Sequence, residues 1–564
     1  MISSSTWVPR GYASEFPEKY ELNDEEMARI NEMANLEIND AREDLEQEEE
    51  GEGAGQKSTQ LKDQIELDDD LKEYNLETYD DEENDGEGEK VTIFPGLSNT
   101  GAKLHENGEG DEDKYLTLPT ELDEQEDKKE NQIYTTDNLV LATRTEDDIS
   151  WLDIYIYDDG AGAPAGADEE AEDMLDADVA NGMVRDSTLY VHHDIMLPAF
   201  PLCVEWVNFK PQSGEEGSNI GNFAAVGTFD PQIELWDLDY VDKAFPDVIL
   251  GQVENKTSKK KSKNKKSKKQ AEHVTTHHTD AVLSLSHNKI HRSILASTSA
   301  DATVKLWDLN TAAAARSLNQ IHHGKTVSSS QWHKSEASIL LTGGYDSQAA
   351  LTDVRISDES QMSKYYRVPN NEDVESVRWS ANPEIFYVGT DKGNVYCFDI
   401  KMDAEPLWTL HAHDAGISSL DINQYVPGML VTSAMGEKLV KLWKAPESAV
   451  AGPSMVLSRD FGLGNVLTTS YAPDIEVAGN LVVGGVTGGL KMWDTFSNRS
   501  VKNVFRDELH SLQRRAREEA KAAGRASRIA RKYQSDANDT IVEVDGSKDD
   551  DSESEEEDDI IEDN

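Results

Sequence analysis

Residues Ile294–Leu309, ILASTSADATVKLWDL, contain the pattern that decides the fold of this chain. An apolar run, a turn of small residues and a second apolar run ending in Trp-Asp predict two short strands, Leu295–Ser299 and Thr303–Trp307. Asp301 lies in the turn, where aspartate is favoured because its carboxylate accepts hydrogen bonds from nearby backbone amides. One hairpin cannot bury its apolar face alone, so the pattern must recur to form a core.

The Trp-Asp corner does recur, with a period of about 45 residues. The corner positions are Trp236, Trp307, Thr352, Phe398, Trp443 and Trp493. The turn aspartate recurs as Asp230, Asp301, Asp346 and Asp391. A third column follows an apolar-x-small-apolar-x-aromatic pattern in the preceding strand and ends at Trp206, His287, Trp332, Trp379, Ile422 and Tyr471. A repeat of this length is typical of the blades of a β-propeller.

The repeats account for seven blades. NLVLAT at Asn138–Thr143 and IYIYD at Ile154–Asp158 flank a turn at Asp147-Asp148 and predict a degenerate first blade. Six further hairpins follow between Leu189 and Thr495. We therefore predict an all-β, seven-bladed propeller over residues 133–505, with an acidic insertion at 160–187 and a lysine-rich insertion at 253–272.

The formal net charge is −57, and most of it lies in acidic segments around the repeats. We expect residues 23–132 and 534–564 to be disordered extensions, because such segments cannot bury enough apolar surface to fold. Within the first, the pattern predicts a short amphipathic helix at 24–45. Two apolar islands, at 91–95 and 115–118, could be either docked strands or unstructured.

The sequence contains few motifs that indicate catalysis or the binding of a metal or cofactor. Cys203 and Cys397 lie in different repeats, so we expect no disulfide and a reducing compartment. The sequence has no phosphate-binding loop, dinucleotide fingerprint or zinc-ligand spacing, and it has no apolar run of the roughly 18 residues that a membrane helix needs. We therefore expect no cofactor, no metal, no small-molecule substrate and no membrane contact.

A histidine precedes three of the predicted inner strands by four residues. In the third blade, we expect His278 to bond Ser297 and Asp301, with the indole of Trp307 as a further donor. The corresponding residues of the fourth and sixth blades are His323, Asp346, His413 and Trp443. Serine, histidine and aspartate also form hydrolase triads. Because these sets recur once per blade, we interpret them as structural networks and expect no enzymatic activity.

The opening segment, residues 1–22, is rich in aromatic residues and proline. Its candidate docking residues are Trp7, Pro9, Arg10, Phe16 and Pro17. It has neither helical nor strand periodicity, and exposed aromatic side chains are unfavourable in water. We therefore expect it to dock on a partner, with packing on its own propeller as the alternative.

Two stretches concentrate positive charge. KTSKKKSKNKKSKK at Lys256–Lys269 includes Lys259, Lys260, Lys261, Lys265 and Lys266. These lysines could contact phosphates, act as a nuclear-import signal or do both, and a plain solvated loop is the alternative. Residues 506–533 predict a helix that projects from the core, with basic residues at Arg514, Arg515, Arg517, Arg525, Arg528 and Arg531. Contacts with nucleic acid should be local, directed at phosphates and sensitive to salt.

LWDL at Leu235–Leu238 and KLWDL at Lys305–Leu309 resemble the WD-repeat superfamily. More narrowly, TWVPRGYASEFPEKYEL near the start, DNLVLATRTEDDISWLDIYIYDD at Asp137–Asp159 and FDPQIELWDLD in the second blade resemble the periodic tryptophan protein 1 family. The resemblance covers nearly the whole chain.

The family resemblance implies a nucleolar, non-catalytic assembly factor of the large (60S) ribosomal subunit. Its implied partners are pre-60S particles, other ribosome assembly factors and pre-rRNA. Because some animal members are associated with chromatin and ribosomal DNA, a histone-binding role on chromatin is the alternative. The departures at Thr352, Lys444 and Gly436 affect single blade networks and not the resemblance itself.

Overall fold

The computed structural model describes residues 1–20, 103–105, 115–117, 128, 131–160, 187–213, 219–252, 273–402, 405–447, 452–522, 527–530, 532–533 and 541–544. The expected helix at 24–45, the island at 91–95, residues 161–186 of the acidic insertion and residues 253–272 lie outside these ranges. Within the unit formed by residues 20–127, Lys103–His105 and Tyr115–Thr117 pair as an antiparallel hairpin, the second strand lying in the island at 115–118.

The prediction of a seven-bladed β-propeller is confirmed: seven four-stranded antiparallel sheets form the blades. From the innermost strand outward, blade 1 is Ile2–Val8, Asn138–Glu146, Ile149–Asp158 and Thr188–Leu197. Blade 2 is Pro201–Val207, Phe223–Thr228, Ile233–Asp237 and Val248–Leu250. Blade 3 is Val282–His287, Ile294–Ser299, Val304–Asp308 and Ala313–Leu318.

The remaining blades follow the same order. Blade 4 is Val327–Trp332, Ile339–Gly344, Gln348–Asp353 and Ser363–Arg367. Blade 5 is Val374–Trp379, Ile385–Thr390, Asn394–Asp399 and Trp408–His411. Blade 6 is Met429–Ala434 between Ile417–Ile422 and Leu439–Lys444, with Ser454–Asp460 outermost. Blade 7 is Val466–Tyr471, Asn480–Gly485, Leu490–Asp494 and Ile541–Glu543.

The seven innermost strands contact one another in sequence order around a central channel, and the strand of blade 7 contacts that of blade 1. All seven run in the same direction, so equivalent loops share a face. The turns between second and third strands define the upper face. The loops between first and second strands, and between third and fourth strands, define the lower face.

The boundaries predicted for the propeller, 133–505, are wrong at both ends. Ile2–Val8 pairs with Asn138–Glu146 as the innermost strand of blade 1. At the other end, Ile541–Glu543, predicted to belong to a disordered tail, pairs with the third strand of blade 7 as its outermost strand. Both additions cover strand edges that would otherwise expose unpaired backbone groups.

A network of buried polar side chains braces blade 3. His278 Nδ1 lies 3.0 Å from the Asp301 carboxylate, and its Nε2 lies 2.7 Å from Ser297 Oγ. The indole N–H of Trp307 donates to the same Ser297 oxygen at 2.8 Å. Burial lowers the pKa of His278, so the neutral ring donates to Asp301 and accepts from Ser297. The network links four strands or loops of one blade and leaves no member available for chemistry.

One prediction for blade 4 is wrong: His322, and not His323, makes the hydrogen bonds that His278 makes in blade 3. His322 Nδ1 lies 2.9 Å from Asp346, and its Nε2 lies 2.9 Å from Thr342 Oγ1. His323 is exposed, has a φ of +51° and stacks on Tyr365. The loop takes one extra residue in a left-handed turn at His323-Gly324, which moves the bracing position one residue towards the N-terminus.

In blades 5 and 6, a glutamate belongs to the buried hydrogen-bond network. In blade 6, His413 bonds Thr432 and, at 2.6 Å, the carboxylate of Glu437, which follows Gly436 in the turn. The Trp443 indole donates to the same Thr432 oxygen at 2.9 Å. In blade 5, Glu372 stands where other blades have histidine and accepts a hydrogen bond from Thr390 at 2.7 Å. The sequence columns did not include either glutamate.

The assignment of His322 predicts a difference between two neighbouring variants. His322→Ala should lower the free energy of unfolding by about 2 kcal/mol, since it leaves Asp346 and Thr342 buried without their partner. His323→Ala, the matched control, should cost less than about 1 kcal/mol because the ring is exposed. Urea unfolding followed by tryptophan fluorescence measures both. Equal losses would contradict the assignment.

The lowered pKa of His278 predicts a pH dependence. As pH falls through the ordinary histidine pKa of about 6.5, the unfolded chain binds a proton that the folded chain excludes, so stability should fall on the acid side. His278→Gln removes this contribution. Urea midpoints at about pH 7.5 and about pH 5.5 should therefore differ less in the variant than in the native protein. An equal or larger acid loss in the variant would be inconsistent with a neutral buried ring.

A buried carboxylate on the lower face holds both terminal segments. Asp159, which follows the third strand of blade 1, pairs with Arg10 at 2.7 Å and with Arg528 at 3.4 Å. The three side chains are each 10% exposed or less. Burial acts to lower the pKa of Arg10, but Asp159, together with Asp474 and Glu476, more than offsets burial and raises the pKa, so the guanidinium stays charged. The ion pairs link residues that are more than 500 positions apart in sequence.

Removing Asp159 should loosen both segments at once. Asp159→Ala leaves two buried guanidinium groups without their shared carboxylate, which should cost about 3 kcal/mol or more. Asp194→Ala, at an exposed position of blade 1, is the matched control and should change stability by less than about 0.5 kcal/mol. Thermal unfolding and limited proteolysis of the C-terminal segment measure the two effects. If Asp159→Ala were as stable as the native protein, the two ion pairs of Asp159 would not be what holds these segments.

Candidate interaction surfaces

The N-terminal segment, expected to dock on a partner, packs largely on its own propeller. Trp7 is buried, and its indole N–H donates to the Ser470 carbonyl of blade 7 at 3.1 Å. Pro9 and Pro17 are half-buried, whereas Phe16 is 47% exposed. The docking expectation is thus wrong for Trp7 and Arg10, which hold the ring closed.

After Arg10, the segment runs along the lower face from blade 7 towards blade 2. The Arg10 backbone N–H donates to Asp474 at 3.0 Å, and the Tyr12 ring lies 4.8 Å from that of Trp206. Glu18–Lys19 then forms a short parallel pair with Tyr240–Val241. Residues 9–19 are therefore part of the lower face and not a free peptide.

Two helices follow the last Trp-Asp corner: α1, Arg499–Val504, and α2, Arg506–Ala522. The expectation of one projecting helix over 506–533 is wrong, because α2 ends at Ala522 and buries Leu509, Leu512, Ala516 and Ala520. Leu509, Leu512 and Ala516 pack in one apolar cluster with residues of blades 6 and 7. Lys444, which follows the corner Trp443 of blade 6, pairs with Glu508 at 2.8 Å and fixes the start of the helix.

The solvent side of α2 carries a continuous row of basic residues, which we call the basic stripe. Its members recur at i, i+4, i+8, i+11 and i+15, and all are exposed: Arg506, His510, Arg514, Arg517 and Lys521. At 1.5 Å per residue, the row is about 22 Å long. Asp507 and Glu518 lie beside it and limit the positive potential on that flank. The stripe includes two of the arginines expected to contact phosphates, Arg514 and Arg517.

The other basic residues that were predicted to contact phosphate either make contacts within the protein or lie outside the described residues. Arg515 is on another side of α2, where it pairs with Glu519 at 2.8 Å and lies over the Tyr425 ring. Arg528 is buried against Asp159 and cannot contact phosphate, so that prediction is wrong. Arg525, Arg531, Lys259, Lys260, Lys261, Lys265 and Lys266 lie outside the described residues.

The segment after α2 is fixed by acids of the propeller. The Glu476 carboxylate accepts from the backbone N–H groups of Arg528 and Ile529 at 3.0 and 3.1 Å. Asp494, the corner aspartate of blade 7, accepts from Tyr533 at 2.7 Å and pairs with Lys532 at 2.7 Å. Gln513 of α2 donates to the carbonyls of Ile529 and Lys532. These contacts hold α2, and hence the basic stripe, in one position.

The central channel has a volume of about 580 Å³ and is lined by small polar side chains of the inner strands. Many of these side chains bond the backbone of the next blade. The N–H groups of Ser330, Val377 and Thr469 donate to Ser284, Ser329 and Ser419, respectively, at 3.0–3.2 Å.

A second layer of the channel repeats this arrangement two residues further along each strand. The N–H groups of Trp332, Trp379 and Tyr471 donate to Ser286, Gln331 and Asp421, respectively, at 2.7–3.0 Å. The polar side chains of the channel therefore join the innermost strands of neighbouring blades. This is a structural role that needs no ligand.

The described residues offer little for catalysis or metal binding. Among them, no group of three histidine, cysteine or acidic side chains is placed to hold a metal ion. Both cysteines are free, and burial raises the pKa of the Cys203 thiol to about 12. That thiol therefore stays protonated and unreactive near neutral pH. No helix within the described ranges has the length and apolarity to cross a membrane.

Comparisons with known proteins agree with this architecture. Residues 269–308 match the family described as WD domain, G-beta repeat. Periodic tryptophan protein 1 of Saccharomyces cerevisiae is 59% identical over 572 residues, which cover 98% of each chain. Periodic tryptophan protein 1 homolog of Drosophila melanogaster is 29% identical over 84% of this chain and 89% of its own length. The chain belongs to the periodic tryptophan protein 1 family of WD-repeat β-propellers.

Proposed function

We propose that this protein is a non-catalytic scaffold in the nucleolar biogenesis of the large ribosomal subunit. It binds pre-ribosomal particles through protein contacts and through the phosphates of pre-rRNA, alongside other assembly factors. The role is the one that its family resemblance implies, and the basic stripe of α2 supports it most directly. We propose, on the same grounds, that it acts in the nucleus and nucleolus.

The chemistry of the stripe favours a nucleic-acid backbone as its ligand. Arginine donates to phosphate oxygens in a fixed, often bidentate geometry, and a row of about 22 Å can follow several successive phosphates of one strand. The chain is strongly acidic overall, so it repels nucleic acid except where positive charge is concentrated. Binding through the stripe would therefore be local and independent of base sequence.

A fixed helix also suits a scaffold. The helix is held against the lower face by its apolar side, by the pair Lys444–Glu508 and by residues 527–530 and 532–533. A basic row on a rigid support loses little side-chain and backbone freedom on binding. RNA bound there would take a defined position relative to the propeller.

The stripe can be tested with purified full-length protein and a labelled RNA hairpin. The triple substitution Arg514→Ala, Arg517→Ala and Lys521→Ala should weaken binding most at low salt, because it removes phosphate contacts. The slope of log K against log salt concentration should become shallower by about 2. Fluorescence anisotropy across a potassium chloride series measures both quantities.

A matched control removes the same charge from the upper face: Lys325→Ala, Lys392→Ala and Lys438→Ala, all at exposed positions. Its salt slope should stay that of the native protein. In cells, the native protein should sediment with large-subunit precursors and be released by RNase, whereas a chromatin-bound protein would resist RNase. An unchanged slope in the stripe variant, or sedimentation apart from these precursors, would refute the proposal.

A further inference from the structure

Exposed apolar residues recur at one position of the upper face. The first residue of the turn between second and third strands is Phe229, Tyr345, Met435 or Val486 in blades 2, 4, 6 and 7, with exposed fractions of 60%, 38%, 63% and 45%. Blade 3 has Ala300 there, and blade 5 has Asp391. We call these six positions the upper ring.

The upper ring is held by a repeated backbone contact. In blades 2 to 7, the N–H of the ring residue donates to a carbonyl in the loop that precedes the inner strand of the same blade. The N to O distances range from 2.8 Å, between Met435 and Gly416, to 3.1 Å, between Phe229 and Phe200. The half-buried ring of Phe200 packs on Phe229 with centroids 5.4 Å apart. The backbone of these positions is therefore fixed while their side chains face solvent.

An acidic region interrupts the apolar ring at blade 5. Asp373, Glu375 and Asp391 lie near one another, and the Tyr345 hydroxyl donates to Glu375 at 3.1 Å. Lys392 pairs with Asp391 at 2.7 Å, which leaves Asp373 and Glu375 without an ion pair to a described basic residue. Burial raises the pKa of Glu375, and its two acidic neighbours raise it further. A cation placed there would stabilise the ionised carboxylate.

We infer that the upper ring binds an extended polypeptide segment that carries large apolar side chains and a lysine or arginine. The apolar side chains contact Phe229, Met435 and Val486, and the basic side chain enters the acidic region at Glu375. Although Lys325, Lys392 and Lys438 lie on the same face, phosphates at the ring itself would meet carboxylates and apolar side chains, which favours a polypeptide over nucleic acid. The inference goes beyond RNA binding by the basic stripe, which lies on the opposite face.

The test uses a phage-displayed library of random peptides selected on the purified full-length protein. The enriched sequences should combine two or more large apolar residues with a lysine or arginine. A synthetic peptide of the consensus sequence is then the probe. The double substitution Phe229→Ser and Met435→Ser should weaken its binding by roughly tenfold or more. Glu375→Gln should weaken the consensus peptide but not a version with glutamine at the basic position.

Met455→Ser, on the outermost strand of blade 6 at 58% exposure, is the matched control and should leave peptide affinity unchanged. RNA affinity should be the same in all these variants, so this test can fail without affecting the role proposed for the basic stripe. The inference is overturned if no consensus emerges or if the consensus lacks a basic residue. It is equally overturned if the Phe229/Met435 variant binds normally or if the selected sequences match this chain's own segments.

Discussion

The ion pairs of Asp159 with Arg10 and Arg528 are the interaction on which the lower face depends. A carboxylate buried to this degree is unfavourable unless it is paired, and here two guanidinium groups from opposite ends of the chain share it. Arg10 follows the innermost strand of blade 1, and Arg528 precedes the outermost strand of blade 7. One acid thus secures both strands that complete the ring, together with the segment that supports α2. The arrangement explains why Arg528, which was predicted to contact phosphate, is internal.

The repeat columns predicted the fold because propeller geometry imposes its period directly on the sequence. Their apolar-x-small-apolar-x-aromatic pattern also has a physical cause that became clear in the structure. The small residue, such as Ser284 or Ser329, accepts a backbone hydrogen bond from the next blade. The first strand could have been found by the same pattern, since ISSSTW at Ile2–Trp7 matches VSSSQW at Val327–Trp332 almost residue for residue. Its serine-rich, weakly apolar composition hid it from a search for hairpins.

Other features could not be derived from composition or spacing. Because the turn has one extra residue, the four-residue spacing selected His323, and only the three-dimensional path of the loop shows that His322 makes the contacts. Arg528 and Lys532 read as part of a basic helix because their acidic partners, Asp159 and Asp494, come from distant blades. The basic stripe was only partly predicted, since where α2 ends and which side it buries depend on the blades beneath it. Local sequence thus specified each blade, whereas the termini and surfaces depended on long-range pairing.

The innermost strand of blade 1 has a consequence for the protein during its synthesis. Ile2–Val8 is made more than a hundred residues before Asn138–Glu146, its partner in the same sheet, and blade 7 is completed only by Ile541–Glu543. The nascent chain must therefore carry an unpaired strand until translation is well advanced, and loops of this length close slowly. The segment that supports α2 is likewise made only after the third strand of blade 7. Arg528, in that segment, pairs with Asp159 of blade 1, so the support of α2 is complete only when blades 1 and 7 are both present. Under the proposed function, this requirement would favour the completed molecule over a partly made one in binding a particle.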